Sequence, residues 1–202
     1  MSLLNIFSLG LFFIFFISYL LKLVILYKRN GIKANVLAKK GKSVEISNAE
    51  RLVKVTTFIW GGLWLLFSIL DSSAGQFISL GAKFSSVRYF GLIVTAVGVS
   101  IFMTAMLSMR TSWRVGIDKT TQSKLVSSGI YRYSRNPAFV GFDTMFIGFL
   151  LMYPNLLTLA VAILNIAAIH KLILQEEKHL EVFFGQEYLK YKNNTARYII
   201  FK

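Results

Sequence analysis

The chain has 202 residues, 55% of them hydrophobic and only 16% charged, with a mean hydropathy of +0.58. That excludes a disordered chain and argues against an ordinary soluble fold. There is no Cys, so disulfides, thiolate metal sites and a Cys nucleophile are excluded, and the redox compartment is left open. The net charge of +14 on so apolar a chain points to anionic lipid rather than nucleic acid.

Residues 1–21 carry no charged side chain, and after Lys22 the apolar run continues to about Tyr27. This is long enough to cross a bilayer, and it lacks the basic start and short core of a cleaved leader, so it predicts a retained span. A second span is predicted between Lys54 and Asp71, and a third between Arg88 and Arg110. Ser47-Asn48-Ala49-Glu50 suggests a helix start ahead of the second span. The fourth apolar region, from about Asn136 to His170, is interrupted only by Asp143. As one helix it would measure about 50 Å against a hydrocarbon core of about 30 Å, so it must fold back. Tyr153-Pro154-Asn155 is its only turn signal, which predicts a tight hairpin with helices over about 138–152 and 156–183.

The expected fold is therefore an all-α integral membrane protein with five transmembrane helices. Residues 28–54 hold eight Lys/Arg and two Glu, residues 110–135 hold six Lys/Arg and one Asp, and the tail from Lys171 holds six Lys/Arg and four Glu. Residues 71–88 are poorer in basic charge, and the 153–155 turn has none. By the positive-inside rule the N-terminus lies outside, and the basic loops and C-terminus are cytosolic.

Two segments concentrate the chemistry. Ser134-Arg135-Asn136-Pro137 stands where a cytosolic loop enters a span; Pro137 suits the first helical turn, and Asn136 is placed to cap it. Farther on, Ile169, Ile173, Glu176, Leu180 and Phe183 share one helix face, so Glu176 interrupts an apolar stripe. An acid there requires a partner, either Arg135, Arg132 or Arg114 from the facing loop or a cationic ligand. Glu177 falls on another face with His170, Leu174 and Glu181, where a solvated face paired with nearby Lys and a site are both open readings. Asp143 is a second intramembrane acid, either a site or one half of a buried pair; His170 reads as a polar packing residue. No phosphate loop, dinucleotide fingerprint, Ser-nucleophile motif or metal-ligand spacing is present, so no metal is expected.

LVSSGIYRYSRNPAFVG, a helical hairpin, and then QEEKHLEVFFGQEYLKYKNNTARYI together resemble the isoprenylcysteine carboxyl methyltransferase family, whose relatives include the membrane phospholipid N-methyltransferases. The resemblance covers about residues 89–202, which would form the methyltransferase core of a single membrane domain spanning 1–202; residues 1–88 supply two spans and the basic loop. It implies a methyltransferase that uses S-adenosylmethionine and leaves S-adenosylhomocysteine. The cofactor would sit in a cytosolic pocket between the Arg-Pro loop and the last long helix. By position, Lys124, Leu125 and Val126 would line it, largely through backbone, and Tyr131 would pack on it. Arg135, Asn136, Pro137 and Phe139 take the place of the family's Arg-His-Pro-x-Tyr motif, with Arg135 and Asn136 in the catalytic positions. Glu176 takes the place of the cofactor-binding carboxylate, with Glu177 its neighbour.

Three positions depart from the family. Asn136 replaces a His and cannot act as a base near neutral pH. Phe139 replaces a Tyr, and Leu172 replaces an Arg that serves the prenyl substrate's carboxylate. A sulfonium is already an activated methyl donor, so the protein has only to align the reactants and exclude water. A carboxylate acceptor needs no base, whereas an amine or thiol must lose a proton; the lack of an obvious base leans toward carboxyl methylation. The lipophilic acceptor would enter sideways between helices from the bilayer. Competing readings are phospholipid N-methylation, methylation of a lipophilic thiol, a dinucleotide-dependent membrane reductase, and a non-enzymatic scaffold or channel. The expected location is the plasma or inner membrane in a prokaryote and the endoplasmic reticulum in a eukaryote, with the site on the cytosolic side.

Overall fold

The computed structural model describes residues 1–70, 85–118 and 124–198. The loop-charge expectation for 71–88 falls largely outside these residues, as do parts of 110–135 and of the C-terminal tail. Six α-helices account for most of the described chain, with no named strand among the described residues: α1 Leu3–Asn30, α2 Val44–Ile69, α3 Ser85–Ser108, α4 Pro137–Met152, α5 Leu156–Phe184 and α6 Gln186–Asn194.

α1, α2, α3 and α5 are each long and apolar enough to cross a membrane, while α4 is a shorter apolar helix of 16 residues. At 1.5 Å per residue α4 reaches only about 24 Å. Among the described residues four candidate spans are thus present where five were expected. Large apolar side chains such as Phe7, Ile14, Phe58 and Ile93 are exposed on the outer faces, as in a helix bundle whose solvent is lipid.

The second helix differs from expectation at its start. Ser43, not Ser47, is its N-cap, accepting from the Ile46 N–H. The helix therefore begins well ahead of the apolar stretch that follows Lys54, and its first turns carry Glu45, Glu50, Arg51 and Lys54. Glu50 explains why this polar part is held. Its side chain is buried and accepts from Lys42 Nζ at 2.6 and 2.7 Å, from the Ala38 N–H at 2.7 Å and from the Ile117 N–H at 2.7 Å. One carboxylate thus ties α2 to the segment after α1 and to the segment after α3. Those two segments also pair directly, Val36 N–H donating to the Val115 carbonyl and Val115 N–H to that of Ala34. Gly116 sits at φ +89°, where a Cβ would meet Glu50 Oε1 at 2.8 Å.

α3 and α4 pack most closely, and four glycines at seven-residue spacing set that approach: Gly91 and Gly98 on one helix, Gly141 and Gly148 on the other. A Cβ on Gly148 would lie 2.3 Å from Thr95 Oγ1, and one on Gly91 would lie 2.5 Å from the Met152 nitrogen. Small residues that let backbones meet are the usual basis of helix association in lipid. Arg88 Nε then donates to the Met152 carbonyl, closing the end of α4.

The hairpin forms at Tyr153–Asn155 as expected. Asn155 caps α5 in a reciprocal box with Thr158. Buried aromatic rings, among them Phe15, Trp60, Phe102 and Phe146, fill the bundle centre, with the half-buried Phe142 packed against them. Two polar contacts inside it join helices: Trp64 Nε1 donates to Ser8 Oγ, and Asn165 Nδ2 to the Thr56 carbonyl.

Candidate functional site

The charged end of α5 meets the loop before α4 and the chain that follows α6. This loop turns through a short 3-10 helix, Gly129–Arg132, and delivers Arg135 and Asn136 at the head of α4. Pro137 occupies the first helical position, where its missing N–H is not needed.

Glu177 is the centre of the arrangement. It is 3% exposed, which excludes the solvated face, one of the two readings open for it. Arg135 meets it with Nε at 3.2 Å and Nη2 at 3.0 Å from Oε1. Arg197 meets Oε2 with Nε at 3.1 Å and Nη2 at 3.0 Å. Asn136 Nδ2 adds a donor to Oε1 at 3.1 Å. The carboxylate is therefore held by two guanidinium forks and an amide, the geometry in which charge-assisted bonds are strongest. Its hydrogen bonds hold the Arg197 guanidinium above its already high range.

Arg135 has no nitrogen to spare. Nη1 donates to the carbonyls of Lys192 and Thr195, at 3.0 and 2.6 Å. It thus caps the end of α6 while the other two nitrogens hold α5. The loop and the C-terminal segment are further joined by Arg135 N–H to the Ala196 carbonyl, by Ser134 Oγ to that of Arg197, and by the Tyr191 hydroxyl to that of Tyr131. Asn136 stands at the N-cap of α4 but makes no side-chain capping bond, in contrast to its expected role. Its amide is committed to Glu177 and to the Arg197 carbonyl instead.

Glu176 is half-buried and, among the described residues, makes no hydrogen bond or ion pair. Of the three cations expected to answer it, Arg135 is engaged with Glu177 and Arg114 with Asp118, while Arg132 is exposed. It shares its face with the buried Ile169 and Ile173, as the helical spacing requires. Tyr131 is buried nearby; burial first, and next the charge of Glu176, raise its hydroxyl above the usual phenol range. Lys124 is exposed, Leu125 and Val126 are half-buried, and all three lie in the extended chain leading to Gly129. Phe139 packs against the apolar core.

The expected residues thus fall into two sets. Arg135, Asn136 and Glu177 are brought into contact. Glu176 stands next to Glu177 in the chain but on another face, in the electrostatic neighbourhood of Tyr131. Arg197 belongs to the first set; no helical spacing singles it out, and its signal is its place at the end of the segment that carries the family resemblance. Glu50 likewise escapes a reading by pattern, because a carboxylate in a basic polar loop carries no periodic mark. Among the described residues no group of three or more His, Asp or Glu is arranged to hold a metal ion.

Residues 86–187 match the phospholipid methyltransferase family. Among curated proteins, the chain is 29% identical over 140 residues to the protein-S-isoprenylcysteine O-methyltransferase of Saccharomyces cerevisiae, covering 64% of this chain and 59% of that protein. It is 33% identical over 108 residues to the probable protein-S-isoprenylcysteine O-methyltransferase of Oryza sativa subsp. indica, covering 52% of this chain and 56% of that protein. It is 30% identical over 133 residues to protein-S-isoprenylcysteine O-methyltransferase B of Arabidopsis thaliana, covering 64% and 68% respectively. The chain thus spans between about half and two thirds of the length of these relatives.

Proposed function

The chain belongs to the phospholipid methyltransferase family, in company with the protein-S-isoprenylcysteine O-methyltransferases, and from that premise we propose that it transfers the methyl group of S-adenosylmethionine to a lipophilic acceptor, the carboxylate of a prenylated cysteine being the acceptor class its relatives' names suggest. The observation that carries the reading is the contrast between two adjacent acids: Glu177 is saturated by Arg135, Asn136 and Arg197, while Glu176 is half-buried and uncommitted.

The cofactor fits the second acid. S-adenosylmethionine offers an ammonium group and ribose hydroxyls, both donors, and a half-buried carboxylate without a partner is an acceptor for either. Tyr131 and the Leu125–Val126 backbone supply an aromatic wall and peptide groups for an adenine ring. When bound, the cofactor supplies an activated methyl on a sulfonium. The protein's share is placement. Arg135 acts as a positioning residue, since all three of its guanidinium nitrogens are used to clamp α5 and α6 around the loop. Asn136 orients Glu177 and keeps that end of α4 in register. Neither removes a proton, which suits a carboxylate acceptor.

In the membrane, α1, α2, α3 and α5 span, and α4 completes the bundle as a fifth, shorter crossing packed on α3. The positive-inside rule puts the Arg135–Glu177 end on the cytosolic side, where the water-soluble cofactor arrives, in the plasma or inner membrane of a prokaryote or the endoplasmic reticulum of a eukaryote. Calorimetric titration of the purified protein with S-adenosylhomocysteine tests the reading: micromolar or tighter binding is expected, and no heat at millimolar ligand would refute it.

A further inference from the structure

The segment between α1 and α2 carries charge that the cofactor reading does not use. Residues 28–42 hold six Lys/Arg and no acid. Lys42 is answered by the buried Glu50. Lys28, Arg29, Lys33, Lys39 and Lys40 are exposed and, among the described residues, form no ion pair. Two of them, Lys33 and Lys39, line a cleft of about 300 Å³ at the end of α1, with Leu23, Tyr27, Ile32 and Asn35. Leu23, Tyr27 and Ile32 give the cleft an apolar part; Lys33, Lys39 and Asn35 give it a polar, cationic one. None of these residues belongs to the Glu176 or Glu177 sets.

The depth of the cleft follows from α1. The charge-free part of that helix, residues 3–21, is about 28 Å long at ~1.5 Å per residue, close to the ~30 Å of a hydrocarbon core. Leu23 and Tyr27 fall in the turn and a half beyond it, at the level of the lipid headgroups, where tyrosine is enriched. The loop side of the cleft is fixed from behind. Ala34 and Val36 are buried and hydrogen-bonded to Val115. Between Lys33 and Lys39 the chain turns at Ala38, whose φ of +58° lies in the left-handed region, and Glu50 Oε2 holds the Ala38 N–H at 2.7 Å. Asn35 Oδ1 accepts from the Leu37 N–H at 3.3 Å, which leaves the amide N–H groups of Asn35 for a ligand. An incoming anion therefore does not have to order this loop, and the cost of binding falls accordingly.

We propose that this cleft binds an anionic phospholipid of the leaflet into which α1 emerges, with the lipid phosphate between Lys33 and Lys39 and an acyl chain along Leu23, Tyr27 and Ile32. Free phosphate would use the cations and leave the apolar part wet. A zwitterionic lipid carries a cation of its own, which Lys33 and Lys39 repel. An anionic diacyl lipid satisfies both parts at once. The positive-inside rule places this loop on the cytosolic side, the side on which anionic lipid is abundant. A lysine at such a surface gives roughly fivefold in affinity, so the pair gives about thirtyfold. The inference stands apart from the methyltransferase reading, because the two sites share no residue.

The test is equilibrium binding of dioctanoyl phosphatidylglycerol and of dioctanoyl phosphatidylcholine to the whole protein in non-ionic detergent, read by native mass spectrometry, with inorganic phosphate as competitor. The parent should bind the anionic lipid at least about tenfold more tightly than the zwitterionic one, and millimolar phosphate should not displace it. Lys33→Gln combined with Lys39→Gln should remove the preference. Lys28→Gln combined with Arg29→Gln removes the same charge from the helix end outside the cleft and should keep it. Tyr27→Ala, which strips the apolar part, should weaken both lipids together. All five side chains are exposed, so each variant should melt with the parent. Equal affinity of the parent for the two lipids, or binding of neither, overturns the proposal. An equal loss from both double variants assigns the effect to a diffuse basic surface and overturns the cleft. Displacement by millimolar phosphate, or lipid binding unchanged by Tyr27→Ala, overturns the lipid as occupant. Failure to bind S-adenosylhomocysteine would remove the methyltransferase reading and leave this one standing.

Discussion

Arg135 and Glu177, 42 positions apart in the chain, form a buried ion pair in which the arginine also closes the last carbonyls of α6, at Lys192 and Thr195. One side chain thereby joins three elements: the loop before α4, the charged end of α5 and the segment that follows α6. Lysine cannot reproduce this, because it offers a single nitrogen where the guanidinium uses three.

Arg135→Lys should therefore loosen the C-terminal segment before it alters anything else. A loss of about 1–3 kcal/mol is expected, the scale of leaving buried acceptors unpaired. Hydrogen exchange in detergent is the measurement: amides from α6 to Tyr198 should lose protection while those of α1 and α3 keep theirs. Uniform protection in the variant would show that the fork is dispensable to the segment.

Glu50 and Lys42 make the same kind of test for the loops beside α2. Either side chain alone, Glu50→Met or Lys42→Met, leaves a buried charge unanswered and should destabilise by about 3–5 kcal/mol. The double variant should cost less than the sum of the two, since the charges disappear together. Thermal unfolding of the four proteins closes the cycle, and strict additivity would mean that the two residues do not act as a pair.

The α3–α4 contact gives a steric prediction. Gly148→Ala puts a methyl 2.3 Å from Thr95 Oγ1 and 2.6 Å from the Thr95 nitrogen, so rotation of the threonine cannot relieve it. Overpacking of about 1–3 kcal/mol or more should appear as a lower melting temperature. Gly61→Ala and Gly10→Ala are the controls, because a Cβ at either meets nothing within 4 Å. Equal melting temperatures for Gly148→Ala and the controls would refute the close approach.

Much of this architecture is legible in the residues, for identifiable reasons. The hairpin can be placed because Tyr153-Pro154-Asn155 is a breaker and a cap together, and the structure uses Asn155 as that cap. The Arg-Asn-Pro loop reads as the head of α4 because Pro at a first helical turn has a physical cause. The start of α2 is not legible in the same way: apolar runs report the stretch that suits lipid, whereas this helix begins in a polar segment anchored by Glu50. The solvated reading of Glu177, one of two left open, fails for a related reason. Helical spacing assigns faces within α5, but the groups that bury Glu177 come from residues 135–136 and 197, and no periodicity within one helix reveals them. The glycine seam of α3 and α4 is hidden because its seven-residue spacing is split between two segments.

Topology follows from the charge pattern and is accessible to direct measurement. The chain has no cysteine, so a single introduced one reports unambiguously. Lys39→Cys should react with a membrane-impermeant maleimide only from the cytosolic side, and Asn155→Cys only from the opposite side. Asn155 is 5% exposed, so Pro154→Cys, half-buried at the same turn, serves as a second reporter. Reaction of the turn from the cytosol would remove α4 as a crossing and, with it, the five-span arrangement.

The two adjacent glutamates provide the sharpest separation of stability from binding. Glu177→Gln keeps the shape but removes the charge that Arg135 and Arg197 share, so two guanidinium groups lose their counter-ion. It should destabilise the fold by about 3–5 kcal/mol, the scale of breaking a buried pair. Glu176→Gln removes a charge that no described residue answers, so the melting temperature should hold or rise. If Glu176 accepts donors from S-adenosylmethionine, the same change should weaken cofactor binding by about 1.5–3 kcal/mol, the range for a hydrogen bond to a charged group. That is roughly a tenfold to hundredfold rise in Kd. Calorimetry with S-adenosylhomocysteine and thermal unfolding, run on both variants, should therefore give opposite profiles. Normal cofactor affinity in a well-folded Glu176→Gln protein would remove Glu176 from the site, and a fold unaffected by Glu177→Gln would mean that the guanidinium cluster is not what holds α5, the loop and the C-terminal segment together.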